Sequence, residues 1–450
     1  MDNFYLPKKV TATTNACLDT QIIKDFFHNF SFMASELSVL TNEEFIFSLG
    51  SAKKVEDNNY EYVINVEKTG VFISAKGKAE LIRGVLTLFN LIKMDYNGNA
   101  YIKCGVYKEN PLIEVRMAHF CVFHDTKLYE LERFIRFVGA LKYTHVIVEF
   151  WGMLKFDALK ELAWENAYKK EEIRPIFQIA NDLGVEVIPM FNHWGHASAS
   201  RVKHGKHVVL NQNPALQYYF SNDGWCWNYK NPKTQELHAK IRQELIELCG
   251  EGNYFHIGCD EAYGFDFSIE SMTEFCSYVN ELSAELNKTG RKAIVWGDMF
   301  VAKHEDFNKN NVYTVNSKSL ETEEFFLNNL DKNICIADWQ YCSPEYPIET
   351  SYIFKNAGFN TLICPFDVGV NQVKACVNTA KDGFSGIIHT TWHTLSTGYP
   401  LLYLSGKLCY SYNAPNHVVE CANLLRKCYF VDGDYEKSGW SEKEIFPRTN

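Results

Sequence analysis

Residues 254–263 read YFHIGCDEAY. Tyr254, Phe255 and Ile257 read as a short buried strand, and Asp260 and Glu261 follow it side by side. Two carboxylates held close together cannot both ionise cheaply, and a pair whose surroundings separate their proton affinities can share acid–base work. Within a strand successive side chains point to opposite faces, so both acids can enter one pocket only where the strand ends and the chain turns. The plainer reading is a solvated acidic turn, since most charge pairs lie on surfaces. The buried strand and the flanking His256, Cys259 and Tyr263 favour chemistry.

Something must hold such a strand end. From about residue 108 onward, strand-like runs alternate with helical patterns, which predicts a parallel α/β fold. The expected strands are Glu114–Ala118, His145–Phe150, Val185–Met190, Tyr254–Gly258, Ala293–Trp296, Ile334–Asp338, Thr361–Cys364 and Gly386–Thr390. Eight strands with helices between them suit a (β/α)8 TIM barrel, whose active sites sit at the carboxyl ends of the strands. Residues 1–108 read differently, as a small α+β domain ahead of a barrel spanning 109–450. EYVINVEKTGVFISAKG predicts a hairpin turning at Lys68, Thr69 and Gly70; KAELIRGVLTLFNLIK predicts an amphipathic helix and AYIKCGVY one strand.

The rim collects unusual residues. Arg116 lies in strand one, Glu149 and Trp151 close strand two, and NHWGH (192–196) follows strand three. Trp296 and Asp298 close strand five, Asp338, Trp339 and Tyr341 close strand six, and Trp392 closes strand eight. Three tryptophans near an acidic pair suggest an aromatic-walled pocket of the kind a sugar needs, stacking below and hydrogen bonding around; each alone could be core packing. His193 and His196, with His119, His124 and His256, raise a metal reading. The chain lacks HExxH, a paired CxxC and a strand-one HxH, so no metal and no other cofactor is expected.

A length of 450 residues with 46% apolar and 15% aromatic content supports a large core. A net charge of −10 gives no basic footprint for nucleic acid. No run of eighteen apolar residues predicts a membrane span, and the N-terminal residues have no apolar stretch of the signal-peptide kind. The 14 cysteines are then expected as free thiols in the cytoplasm, and the sequons at Asn29 and Asn287 as chance matches. Oligomeric state stays open, with a homodimer among the alternatives.

HIGCDEAY, followed some thirty residues on by VWGDM, resembles the signature of glycoside hydrolase family 20, the β-N-acetylhexosaminidases. The likeness is closest to the intracellular, hexosaminidase D-like branch, in which HIGCDE replaces HxGGDE. VEVIPMFNHWGHA is similar to the family's strand-three segment, and NPKTQELHAKIRQELIELCG to the helix leading into the catalytic strand. The resemblance implies a retaining exo-acting enzyme on terminal β-linked GalNAc or GlcNAc in an oligosaccharide or glycoconjugate. It implies that Glu261 protonates the glycosidic oxygen while Asp260 orients the substrate's 2-acetamido group, which attacks the anomeric carbon. By the same likeness Tyr341 would bond the acetamido carbonyl, Trp296, Trp339 and Trp392 would wall the pocket, Arg116 would grip the outer hydroxyls, and His196 would stand behind the acid. Glu149 and Asp298 complete the expected substrate-binding set.

This chain departs from the pattern in two places. It carries EFWGM (149–153) where secreted members carry HLTDD, and the usual Trp-x-Glu is here Trp392-His393-Thr394, without the carboxylate. The sugar is therefore left open, and so are two other readings: a catalytically silent carbohydrate-binding barrel, and a metal-dependent barrel hydrolase.

Overall fold

The computed structural model describes residues 2–6, 11–15, 36–40, 45–198, 206–308, 310–342, 345–392, 398–410 and 413–429. Eight parallel strands form the barrel: Val115–Val122, His145–Phe150, Glu186–Pro189, Tyr254–Gly258, Lys292–Trp296, Cys335–Trp339, Asn360–Cys364 and Gly386–His389, numbered here one to eight. Around the sheet they run three, two, one, eight, seven, six, five, four. A parallel bridge between Met190 and His256 joins the third to the fourth and closes the ring. HVIVEF of the second strand is buried at all six positions, the mark of a strand covered on both faces.

A helix follows every strand. Two of them frame the acidic pair, and both start on sequence signals. Pro232–Cys249 begins where the Asn231 side chain accepts the Lys233 N–H at 3.0 Å, with Pro232 in first position. Ile269–Lys288 begins where Ser268 Oγ accepts the Ser271 N–H at 3.3 Å. Between barrel and helices lies a large apolar core. A second, smaller cluster fills the lumen, built from Met117, Ile147, Ile188, Ile294, Ala337 and Leu362 among others.

Before the barrel stands a six-stranded sheet that contains the expected hairpin, Tyr62–Glu67 against Gly70–Ala75. Helix Lys78–Leu91 packs on it with Leu81, Val85 and Leu88 buried. Asn90 reaches the barrel through a 2.8 Å bond to the Ala140 carbonyl. AYIKCGVY is not one strand: Ala100–Lys103 belongs to a separate three-stranded sheet and Gly105–Glu109 to the larger one. The chain changes sheets at Cys104, where Gly105 adopts φ 155°, a conformation glycine tolerates. Among the described residues no helix is long and apolar enough to cross a membrane.

Candidate active site

Strand alternation assigns the lumen side chains. Because Met117 faces the lumen, so do His119 and Cys121; Ile147 implies Glu149, and Ala337 implies Trp339. The first strand runs to Val122, four residues beyond the expected Ala118, so His119 and Cys121 stand inside it opposite Ile147 and Glu149. The lumen is thus aliphatic toward the amino ends of the strands and polar and aromatic toward their carboxyl ends.

The fourth strand ends in a tight turn. Gly258, Cys259 and Glu261 all have positive φ (69°, 75° and 46°), as does His196 at 54°. Non-glycine residues adopt this region only when their surroundings impose it, and such strain gathers at functional sites. Here the cause is visible. Asn192 Oδ1 accepts the Cys259 N–H at 2.9 Å, and Asn192 Nδ2 donates to Asp260 Oδ1 at 2.5 Å. Trp225 Nε1 donates to the Glu261 carbonyl at 2.6 Å, and Asp298 Oδ2 accepts the Glu261 N–H at 2.9 Å. Gly195 packs so closely that a Cβ there would lie 2.0 Å from the Asp260 carbonyl oxygen.

The two acids have different surroundings. Asp260 is buried, faces His196 Nε2 at 3.3 Å and lies 4.0 Å from Lys206 Nζ. Burial alone would favour its neutral form, but Lys206, His196 and Asn192 outweigh that and hold its carboxyl far below the usual range. Glu261 keeps about a quarter of its side chain exposed and accepts from His196 Nε2 at 2.9 Å. His196 spans the pair: burial opposes its charge, yet Asp260 and then Glu261 raise its pKa to about 9. Asp298 is raised to about 7 by burial and by the charge of Asp260, and receives bonds from Asn316 Nδ2 (2.8 Å) and Trp339 Nε1 (3.1 Å). Trp392 Nε1 donates to the Tyr341 hydroxyl at 2.7 Å, and that hydroxyl lies 2.8 Å from Thr390 Oγ1. Trp339 and Trp392 are half-buried, as a wall that a ligand could touch must be.

Glu149, His196, Asp260, Glu261, Asp298, Trp339, Tyr341 and Trp392 are therefore one connected group. Two expected members are not part of it. Arg116 is the second residue of the first strand, at the amino end of the barrel, and its alternation points it away from the lumen. Its guanidinium donates to the carbonyls of Lys142 (2.9 Å), Ile113 and Glu114 (both 2.7 Å) and lies over the Tyr410 ring. It cannot grip a sugar at the opposite rim. Trp296 is fully buried, packed on His256 at 4.3 Å and Trp392 at 5.5 Å. It floors the pocket from below and is not a surface on which a ring could stack.

His193 does not join a metal set with His196. Its Nδ1 bonds the Phe191 carbonyl at 2.7 Å, and its Nε2 faces Arg242 at 3.3 Å. The donor set best arranged for a metal is elsewhere: His119 Nε2, Cys121 Sγ and Glu149 Oε2 lie 3.5–3.7 Å apart. Against a cation there, Lys206 Nζ sits 2.7 Å from Glu149, and the Cys121 thiol faces the Thr391 carbonyl at 3.2 Å. Burial pushes the Glu149 carboxyl up, but Lys206 and His119 overcome it and hold it at about 2. His393 lies outside the described residues. Sequence reasoning did not single out Asn192, Lys206, Trp225 or Asn316 as site residues. Only Asn192 had a signal, as the first residue of NHWGH.

Comparisons with known proteins bear on the family and the fold. Residues 147–368 match the family model described as glycosyl hydrolase family 20, catalytic domain. Among curated proteins, lacto-N-biosidase of Bifidobacterium bifidum is 19% identical over 292 residues, covering 60% of this chain and 25% of that protein. Hexosaminidase D of Bos taurus is 27% identical over 140 residues, covering 30% of this chain and 36% of that protein. The matches thus span only about a quarter and a third of those relatives. Among solved structures, Flavobacterium johnsoniae chitobiase superposes with a TM-score of 0.66 at 17% identity, covering 98% of this chain and 71% of that one. Streptomyces plicatus N-acetyl-beta-hexosaminidase in complex with Thio-NAglucal gives a TM-score of 0.66 at 16% identity, covering 96% and 93%.

Proposed function

Residues 147–368 match the catalytic-domain model of glycoside hydrolase family 20, and on that premise we propose that the protein is a retaining exo-β-N-acetylhexosaminidase working through the substrate's own acetamido group. The observation that carries this reading is the unequal setting of the two acids. Asp260 is buried and surrounded by donors and cations that keep it an anion, so it suits a partner that becomes positive, such as the acetamido nitrogen as its oxygen attacks the anomeric carbon. Glu261 is partly exposed at the mouth, where a leaving group would stand, and suits proton transfer to the glycosidic oxygen. The proton it gives is recovered from the water that later opens the bicyclic intermediate, and configuration is retained. The Tyr341 hydroxyl, between Trp392 and Thr390, supports a bond to the acetamido oxygen.

A terminal GalNAc or GlcNAc is the proposed sugar, in a small oligosaccharide or glycoconjugate. Among the described residues all thirteen cysteines are free, and many are buried. This supports a reducing compartment, and we assign the protein to the cytoplasm. A silent binding barrel is disfavoured because such a protein has no use for a partly exposed acid held by a histidine.

The test is the pair of isosteric variants. Glu261→Gln and Asp260→Asn should each lower kcat/KM on an aryl N-acetyl-β-hexosaminide by at least about 100-fold, with circular dichroism unchanged. Near-wild-type hydrolysis by either variant would remove that residue from its role.

A further inference from the structure

We propose that Lys206 is a positioning residue for the reaction, the cation that orients Asp260 and, through Glu149, ties it to the barrel wall. The proposal rests on the hexosaminidase reading above and adds to it a residue outside the acid pair.

Lys206 is 2% exposed, far drier than a lysine is unless something holds its charge. Its Nζ bonds Glu149 Oε1 at 2.7 Å and stands 4.0 Å from Asp260 Oδ1. The ammonium lies over the rings of Trp151 at 5.5 Å and Trp392 at 5.3 Å, the second being the pocket wall. Its own backbone N–H donates to the His196 carbonyl at 2.7 Å. One residue therefore fixes His196 through its main chain and faces Asp260 through its side chain.

The bland alternative is that Lys206 only neutralises buried Glu149. The geometry argues for more. Glu149 already has Trp151 Nε1 at 3.0 Å and His119 at 3.5 Å, whereas the other donors to Asp260 are Asn192 and a histidine it shares with Glu261. Charge interactions fall only as the reciprocal of distance, so Lys206 acts on Asp260 with roughly two thirds of its strength toward Glu149. With Arg116 bonded at the far end of the barrel, Lys206 is the described cationic side chain, besides His196, that faces Asp260.

The charged groups around Asp260 define the test. His196 and Lys206 face it as cations, with Glu261, Asp298 and Glu149 as the acids beside them. His256 and Tyr341 are the neutral titratable groups beneath and across. Asp260 and Glu261 raise the His196 pKa to about 9 within this set, so its NMR signal, assigned by loss in His196→Gln, should report the local field without any substrate.

In Lys206→Met that midpoint should rise, because a cation is removed. In Glu149→Gln it should fall, because Lys206 is left uncompensated. Opposite signs would show that both charges act on the site, and the kinetics then separate a positioning role from a merely structural one. Kinetically, Lys206→Met should lose about 100-fold in kcat/KM, mostly in kcat, and Lys206→Arg should recover part of it. If Lys206→Met fails to fold, the charge-neutral Glu149→Gln/Lys206→Met pair replaces it, since buried ion pairs often tolerate joint neutralisation. That double variant should show the same loss.

An unmoved His196 midpoint in both single variants would overturn the proposal, as would a folded variant lacking Lys206 within threefold of wild-type kcat/KM. A wild-type protein inert toward every N-acetylhexosaminide would instead sink the functional reading, while the NMR comparison would still decide whether Lys206 acts on the site.

Discussion

Asp260 and Glu261 are adjacent carboxylates of nearly the same intrinsic acidity, and what separates them is surroundings. Burial among Asn192, His196 and Lys206 fixes one as an anion; the other keeps about a quarter of its side chain open at the mouth, within reach of a leaving group. Arg116 teaches the converse, that chemistry-bearing type does not imply a place in the site. Three backbone carbonyls and the Tyr410 ring account for its guanidinium. Replacing it with Met would strip a charged donor from those carbonyls and should cost about 2–4 kcal/mol of stability. KM for an aryl glycoside should stay within twofold of wild type. A large rise in KM with unchanged urea stability would contradict this placement.

Elements were more legible than contacts. Strands such as His145–Phe150 and Tyr254–Gly258 are mostly apolar runs bounded by polar turns, and they stand where the sequence predicts them. The first strand was read short because His119 and Cys121 interrupt its apolar run, yet their alternation with Ala118 and Phe120 fits a strand facing a polar lumen. The acid pair was legible because a strand end can hold two neighbouring side chains in one pocket. Lys206 was not: the sequence around it is polar and basic with no period, and its meaning comes from Glu149, 57 residues away. Trp296 was misassigned because sequence gives a rim position but not whether a neighbour, here Trp392, lies over the ring.

At the scale of the molecule, the barrel buries five described imidazoles whose neutral form burial favours. Burial, aided by Arg242, holds His193 at about 3; burial likewise holds His256 and His389 at about 3, His207 at about 4, and His238 well below its ordinary value. Each folded value lies below the unfolded one near 6.5, so between those limits the unfolded chain binds protons the folded chain cannot. Stability must fall as pH drops through that window, by up to about 1.4 kcal/mol per histidine per pH unit. Glu149, whose folded value of about 2 lies below its unfolded one, adds to the loss below about pH 4.5. His196 has the opposite sign: raised to about 9, its contribution is complete below about 6.5 and is lost as pH rises through 9. Near-UV circular dichroism should therefore hold at neutral pH and collapse cooperatively between about pH 5 and 4. An intact spectrum at pH 4 would contradict this balance.

The acetamido group as nucleophile is the centre of the functional account, and it can be tested on the substrate with the protein untouched. Aryl N-acetyl-β-hexosaminides carrying mono-, di- and trifluoroacetyl groups present a progressively poorer internal nucleophile at nearly constant size. If Asp260 steadies that nucleophile, log kcat/KM should fall steeply and monotonically along the series, by about tenfold or more over all. A flat series would mean that the amide takes no part in bond breaking, and the division of labour between Asp260 and Glu261 would have to be abandoned.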